Sequence, residues 1–189
     1  MTNPPVFALA SIAFLSALGC ASAPPPPPPA AGAPSAHGYA LLYEILGQEK
    51  DVSKLLVVKR ERDDFEAVIN SISEVTGKAY DDLGELGEAN RSLNLTDNGL
   101  PAGERAAREA IAASKRNALL TENGEEFEML MALAQGEALG YLVGLTESLS
   151  RAEPDPGRLA FVQALWRDAR RLQESLLALV RTRYRRPQP

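Results

Sequence analysis

The sequence predicts an all-α protein: an antiparallel four-helix bundle with one extra short helix, placed after an export signal and a proline-rich linker. Three observations support this fold class. All 45 charged residues of the 189-residue chain follow residue 37, as expected if only that part forms a domain with a charged surface. Nine of the 14 prolines precede residue 35. After residue 38, apolar residues recur at steps of three or four, which is typical of helices with one apolar face.

The chain therefore divides into a signal peptide over residues 1–19, a linker over residues 20–37 and a helical domain over residues 38–186. About 150 residues can bury a single hydrophobic core. A disulfide framework is excluded because the chain has one cysteine, and an exported chain with a net charge of −5 is not expected to bind nucleic acid. The one histidine, His37, lies in the linker, where we expect a linker residue rather than a metal ligand.

The leader contains thirteen apolar or small residues in a row, Val6–Leu18. This run is shorter than the roughly 20 residues that span a membrane, and it matches the apolar region of a signal peptide. The tetrapeptide Ala17-Leu18-Gly19-Cys20 completes it and resembles the lipobox of bacterial lipoproteins. The resemblance implies that Cys20 becomes the mature N-terminus and carries acyl chains that anchor it in a membrane.

The residue after Cys20 is Ala21 rather than aspartate, so the same resemblance implies the outer membrane, with the domain facing the periplasm. Two alternatives stay open: plain secretion after cleavage near Ala23, and an anchor that is retained uncleaved. The six prolines Pro24–Pro29 predict an extended polyproline II rod of about 19 Å, which would hold the domain away from the bilayer.

Five helical segments are predicted in the domain. The first starts at Tyr39 and continues through Val58, and glycine- or proline-containing breaks separate the later ones. The last segment is basic, with eight arginines against two acids from residue 158 onward, whereas the rest of the domain is acidic. This charge asymmetry favours docking of the last helix against the other helices. The other four segments cover Phe65–Leu86, Ala102–Leu120, Phe127–Leu149 and Leu159–Val180.

Two short motifs lie about 40 residues apart, in the second predicted helix and around the start of the fourth. They are Val75–Leu83 (VTGKAYDDL) and the group Leu119-Leu120, Gly124 and Phe127-Glu128. Together they resemble the motifs of a family of exported bacterial helical bundles, a domain of unknown function that is related in fold to ferritin. The resemblance implies a ferritin-like bundle over most of the domain.

Thr76 and Glu137 stand where that family tends to have histidine. A ferritin-like di-iron site needs a Glu-x-x-His pair on each of two helices, and the domain contains no histidine. We therefore expect no metal or other cofactor. Glu137 is expected to pair at the bundle edge with Arg167 or Arg170 of the last helix, with a lone metal ligand or a buried acid as the alternative.

Three further acids, Glu122, Glu125 and Glu128, lie on one face at the start of the fourth helix. We expect them to be solvated, because acids at a helix N-terminus are favoured by the helix dipole and by water. A weak Ca²⁺ or Mg²⁺ patch is the alternative.

Gly136, Gly140 and Gly144 form a ridge of small residues at intervals of one helical turn. Such a ridge lets another helix approach closely. We expect it to be an internal packing seam, with a homodimer face as the alternative, so that monomer and homodimer both stay open.

Four arginines, Arg181, Arg183, Arg185 and Arg186, lie at the end of the last helix. Positive charge there complements the negative end of the helix dipole, which is the interpretation that we favour. The alternative is contact with a polyanion of the cell envelope.

Catalytic patterns are missing from the sequence: no serine has a histidine partner in the domain, and no glycine-rich phosphate loop occurs. We therefore expect a non-enzymatic envelope lipoprotein with an interaction or structural role. One alternative is a degenerate metal-handling bundle, in which carboxylates from several helices must converge. The other is a carrier of a small apolar ligand, with a cavity lined by Phe127, Tyr141 and Trp166.

Overall fold

The structure, a computed structural model, describes residues 36–59, 61–90 and 93–184. These residues form helices and no strand, which confirms the all-α class. Helix ends lie within a few residues of the predicted ones, except in the first segment. The helices are α1 (Ala36–Glu49), α2 (Lys54–Val58), α3 (Asp63–Ala89), α4 (Ala102–Thr121), α5 (Gly124–Ala152) and α6 (Pro156–Tyr184).

The prediction of one continuous helix from Tyr39 to Val58 is wrong, because α1 ends at Glu49 and α2 is separate. The carbonyl oxygen of Lys50 accepts a hydrogen bond from the hydroxyl of Ser73 in α3. In a continuous helix the backbone N–H of Lys54 would donate to this carbonyl oxygen. It donates instead to the backbone oxygen of Asp51, at 3.0 Å. A side chain of α3 thus takes the place of the helical hydrogen bond.

His37 lies inside α1, so its assignment to the linker is also wrong, and the helical domain starts two residues earlier than predicted. The imidazole Nδ1 of His37 donates to the backbone oxygen of Asp97 at 2.9 Å. The backbone of Gly99 approaches the ring closely, because a Cβ at this position would lie 2.8 Å from the imidazole. The φ of Gly99 is +66°. Glycine is the residue that this φ favours. His37 therefore joins the start of α1 to the segment that precedes α4.

Helices α1, α3, α5 and α6 supply most of the core. Helix α5 packs against α6 and α1, and α3 packs against α1 and α6. Helix α4 lies on α5, and Leu119 is its one buried residue. The largest fully buried side chains are Tyr39, Leu42, Leu46, Phe65, Ile69, Ile72, Leu83, Phe127, Met131, Leu139, Leu142 and Leu176.

Aromatic rings, glycines and ion pairs contribute to the contacts between neighbouring helices. Between α1 and α3, Gly47 faces the ring of Tyr80, and Gly84 faces the ring of Tyr43. The two tyrosine rings stack with centroids 4.2 Å apart, so each ring occupies the space above a glycine of the opposite helix. Between α5 and α6 the contacts are Glu128 with Arg183, Gly140 with Gln173, and Glu153 with Arg158.

Candidate functional sites

Part of the predicted site set lies outside the described residues. This applies to the signal peptide, to Cys20, to the proline-rich linker up to residue 35, and to Arg185 and Arg186. The predictions made for them stay predictions.

Glu128 is the centre of a buried ionic cluster at one end of the bundle. Its side chain is 2% exposed, and its carboxylate accepts hydrogen bonds from the guanidinium groups of Arg183 and Arg62, the latter at 3.1 Å. The prediction that Glu128 is solvated is therefore wrong, because Glu128 shares the buried face of α5 with Met131 and Ala132, one turn further on. Glu122 and Glu125 are exposed, as expected.

Arg183 contributes to the same cluster, and its side chain is 8% exposed. It also donates to a carboxylate oxygen of Asp64 at 2.6 Å, so it joins α6 to α3 as well as to α5. Because these bonds occupy its guanidinium group, Arg183 does not form part of an exposed cationic patch. Arg181 is exposed. Arg183 thus adds ion pairs with two other helices to the apolar contacts of α6, in the direction that the charge asymmetry of the sequence favours.

Glu137 is exposed and forms an ion pair with Lys115 of α4. The predicted pairing of Glu137 with Arg167 or Arg170 is wrong. Arg167 is exposed, and a guanidinium nitrogen of Arg170 lies 3.7 Å from a carboxylate oxygen of Glu174 in the same helix. The reason is that α4 lies along this side of α5, although it has few large apolar residues that would predict such docking.

The C-terminus of α4 is held by Lys59, which sequence analysis did not single out. Its ammonium group donates to the backbone oxygens of Leu120, at 3.0 Å, and Glu122, and it lies 5.0 Å from the ring centroid of Phe127. A cation at this position complements the negative end of the helix dipole and satisfies carbonyls that have no partner in the helix. Lys59 therefore fixes α4 to the α2–α3 connection.

The glycine ridge of α5 does not form the predicted internal seam. A Cβ at Gly136 or Gly144 would meet no atom within 4 Å, and one at Gly140 would lie 3.5 Å from the amide nitrogen of Gln173. Leu133, on the same helix, is also exposed. Gly136 and Gly144 thus face open space and Gly140 alone touches α6, because larger residues such as Met131 and Leu142 form the buried face of α5.

Alanine substitution distinguishes this open ridge from a close helix contact. We expect Gly144→Ala to raise the free energy of unfolding by about 0.5–1 kcal/mol, because alanine favours the helix and meets no neighbour. We expect Gly47→Ala to lower it by about 1–2 kcal/mol, because the new Cβ would lie 3.0 Å from the stacked ring of Tyr80. Urea denaturation of both variants measures the two changes in the free energy of unfolding. A loss of stability in Gly144→Ala would show that Gly144 lies in a close contact with another helix after all.

A second buried ionic cluster joins the start of α1 to the α5–α6 turn. The side chain of Glu153 is fully buried and accepts hydrogen bonds from the Tyr39 hydroxyl (2.6 Å), the Arg158 guanidinium (2.8 Å) and the Asp155 backbone N–H (2.9 Å). Burial alone would raise the pKa of Glu153, but these three donors outweigh it and lower the pKa. Burial and the bond to Glu153 raise the pKa of Tyr39.

Thr76 occupies a position at which the resembling family tends to have histidine. It is 1% exposed, and its hydroxyl donates to the backbone oxygen of Ile72 in its own helix at 2.8 Å. Thr146 of α5 is also buried and bonds in the same way to Leu142 at 2.6 Å. These hydroxyls are satisfied within their own helices.

A groove of about 430 Å³ lies between α3 and α6, with lining residues that include Val68, Val75, Lys78 and Arg171. The sequence-based alternative of a ligand carrier predicted a cavity lined by Phe127, Tyr141 and Trp166. None of these three residues lines the groove between α3 and α6. Phe127 is fully buried in the core and Tyr141 is partly exposed next to Arg108.

Within residues 36–59, 61–90 and 93–184, no group of three or more His, Cys, Asp or Glu side chains could hold a metal ion. Over the same residues, α5 is the one helix that is long and apolar enough to cross a membrane, and a third of its most apolar window is buried in the protein.

Comparison with known proteins gives no match: no protein-family model matches the chain, and no curated protein or solved structure matches it.

Proposed function

We propose that the protein is a non-enzymatic lipoprotein of the cell envelope, anchored in a membrane through Cys20, whose helical bundle has an interaction or structural role. The observation that carries the anchor is the apolar run Val6–Leu18 ending in Ala17-Leu18-Gly19-Cys20. This pattern belongs to an export signal with a lipid-accepting cysteine. The favoured destination is the outer membrane, because Ala21 follows the cysteine.

The structural role is supported by how the bundle uses its buried charges. Glu128 joins Arg62 and Arg183, and Glu153 joins Arg158 and the hydroxyl of Tyr39. Both clusters connect residues that lie far apart in the chain, and they close opposite ends of α5 against its neighbours. These groups are engaged in holding the helices together, which fits a scaffold that presents its outer surface to a partner.

We further infer an antiparallel, ferritin-like order of α1, α3, α5 and α6. Support comes from the contacts of each neighbouring pair, in which residue numbers rise along one helix as they fall along the other. For α1 and α5, Tyr39 contacts Glu153 and Glu49 contacts Gln135. Helix α4 then serves as the long connection between two helices of the same direction, α3 and α5, as in bundles with one crossover.

Membrane fractionation of a Cys20→Ser variant tests the anchor. We expect the wild-type protein in the membrane fraction, released by detergent but not by high salt, because acyl chains hold it by apolar burial rather than by charge. We expect the Cys20→Ser variant to lose acylation and to leave this detergent-dependent fraction when its signal is cleaved elsewhere. Ser22→Ala is the matched control, two residues away, and should behave as wild type. Equal distributions of wild type and a Cys20→Ser variant whose signal has been cleaved would contradict the proposal.

A further inference from the structure

A half-buried acid and a buried amide meet between α1 and α5, beside α4. The amide nitrogen of Gln135 donates to a carboxylate oxygen of Glu49 at 2.7 Å. Gln135 is 4% exposed, and its other polar atom, the amide oxygen Oε1, has no hydrogen-bond partner among the described residues. A buried acceptor without a donor costs about 1–3 kcal/mol.

A proton on Glu49 would supply the missing donor. A carboxylic acid and a primary amide can form two parallel hydrogen bonds: the amide N–H donates to one acid oxygen, and the acid O–H donates to the amide oxygen. An ionised Glu49 can make only the first of these bonds with Gln135. The arrangement is therefore complete when Glu49 is neutral.

We propose that Glu49 and Gln135 form a proton-binding pair, in which Glu49 takes up a proton from solvent and donates it in a hydrogen bond to Oε1 of Gln135. The charged groups next to the pair are few. Lys115 of α4 acts on Glu49 with its positive charge, and Glu137 of α5 holds Lys115 in an ion pair. Burial raises the pKa of Glu49 more than the Gln135 bond and Lys115 lower it.

The pair makes the attachment of α1 depend on pH in a particular way. The stabilisation by a protonated Glu49 is complete below the ordinary pKa of glutamate and is lost as the pH rises through the raised pKa. At the other end of α1, Glu153 acts in the opposite sense, because its ionised form binds Tyr39 and Arg158. A lower pH therefore strengthens the Glu49–Gln135 contact at the end of α1 and weakens the Tyr39–Glu153 contact at its start.

A titration of the glutamate side-chain carboxyl carbons by NMR, carried out on the full chain, tests the pair directly. We expect Glu49 to titrate above the ordinary pKa of a glutamate side chain, because burial disfavours its charged form. Titration of Glu49 at or below the ordinary pKa of glutamate would overturn the proposal.

A second test uses Glu49→Gln, which keeps the shape of the side chain and supplies a permanent donor to Oε1 of Gln135. At pH 8 we expect its unfolding temperature to exceed that of wild type by about 2–4 °C. At pH 4 the two should agree, since wild-type Glu49 is then protonated. Glu126→Gln is the control, because it removes an exposed acid near the start of α5, outside the groups that act on Glu49. An unchanged or lowered unfolding temperature of Glu49→Gln at pH 8 would count against the pair.

Discussion

Replacing Glu128 with alanine is expected to lower the free energy of unfolding by about 3–5 kcal/mol. The carboxylate is buried and bonds to two guanidinium groups, and one of them, Arg183, is itself buried. Removal of the acid leaves the positive charge of Arg183 with Asp64 as its remaining partner, at a site that water reaches poorly. The loss of a partner in a buried ion pair costs far more than the loss of a surface pair.

Urea denaturation of Glu128→Ala, with Glu125→Ala as the matched control, measures this effect. Glu125 lies one turn earlier and is exposed, so its substitution should change the free energy of unfolding by no more than about 0.5 kcal/mol. The double variant Glu128→Ala/Arg183→Ala should be less destabilised than the sum of the two single variants, because the buried guanidinium group that loses its partner is removed with it and Arg62 is exposed. Equal effects of Glu128→Ala and Glu125→Ala would show that the cluster does not hold the bundle end.

Replacing Glu153 with glutamine is expected to lower the free energy of unfolding by about 2–3 kcal/mol at pH 7. Glutamine keeps the volume but has one acceptor oxygen where three donors converge, and it carries no charge to balance Arg158. Because the pKa of Glu153 is lowered in the folded protein, its stabilisation is complete above the ordinary pKa of glutamate. It is lost as the pH falls through the lowered value.

The difference between wild type and Glu153→Gln should therefore shrink as the pH is lowered from 7 toward 3 in a series of urea denaturation curves. Glu147→Gln is the control, because Glu147 forms an exposed pair with Arg151 one turn along the same helix. Its effect should stay near 0.3–0.5 kcal/mol at pH 7. A difference for Glu153→Gln that is constant from pH 7 to pH 3 would refute the role assigned to its charge.

The positions of the helices could be predicted from the sequence because they depend on local patterns. Apolar periodicity placed α3, α5 and α6, and the breaks at Asn123-Gly124 and Pro154–Gly157 placed their ends. The glycine at 124 has a φ of +58°, and the Asp155 carboxylate accepts the backbone N–H of Arg158 at 2.8 Å at the start of α6. Both are local features of helix ends.

The buried ionic clusters could not be predicted in the same way, because they depend on contacts between distant residues. Tyr39 and Glu153 are 114 residues apart, and Glu128 and Arg183 are 55 residues apart. Glu128 also lies in the first turns of a helix, where local rules favour a solvated acid. The break between α1 and α2 depends on Ser73, which belongs to another helix. In each case tertiary packing overrides the local pattern.

The intact mass of the protein purified from membranes of its host tests the lipid anchor at Cys20. We expect the mass of residues 20–189 plus acyl chains, and we expect Cys20→Ser to lack this added mass. Stoichiometric iron or manganese in the same sample would favour the carboxylate-only metal bundle. An unacylated mass that starts beyond Cys20, as after cleavage near Ala23, would contradict the anchor.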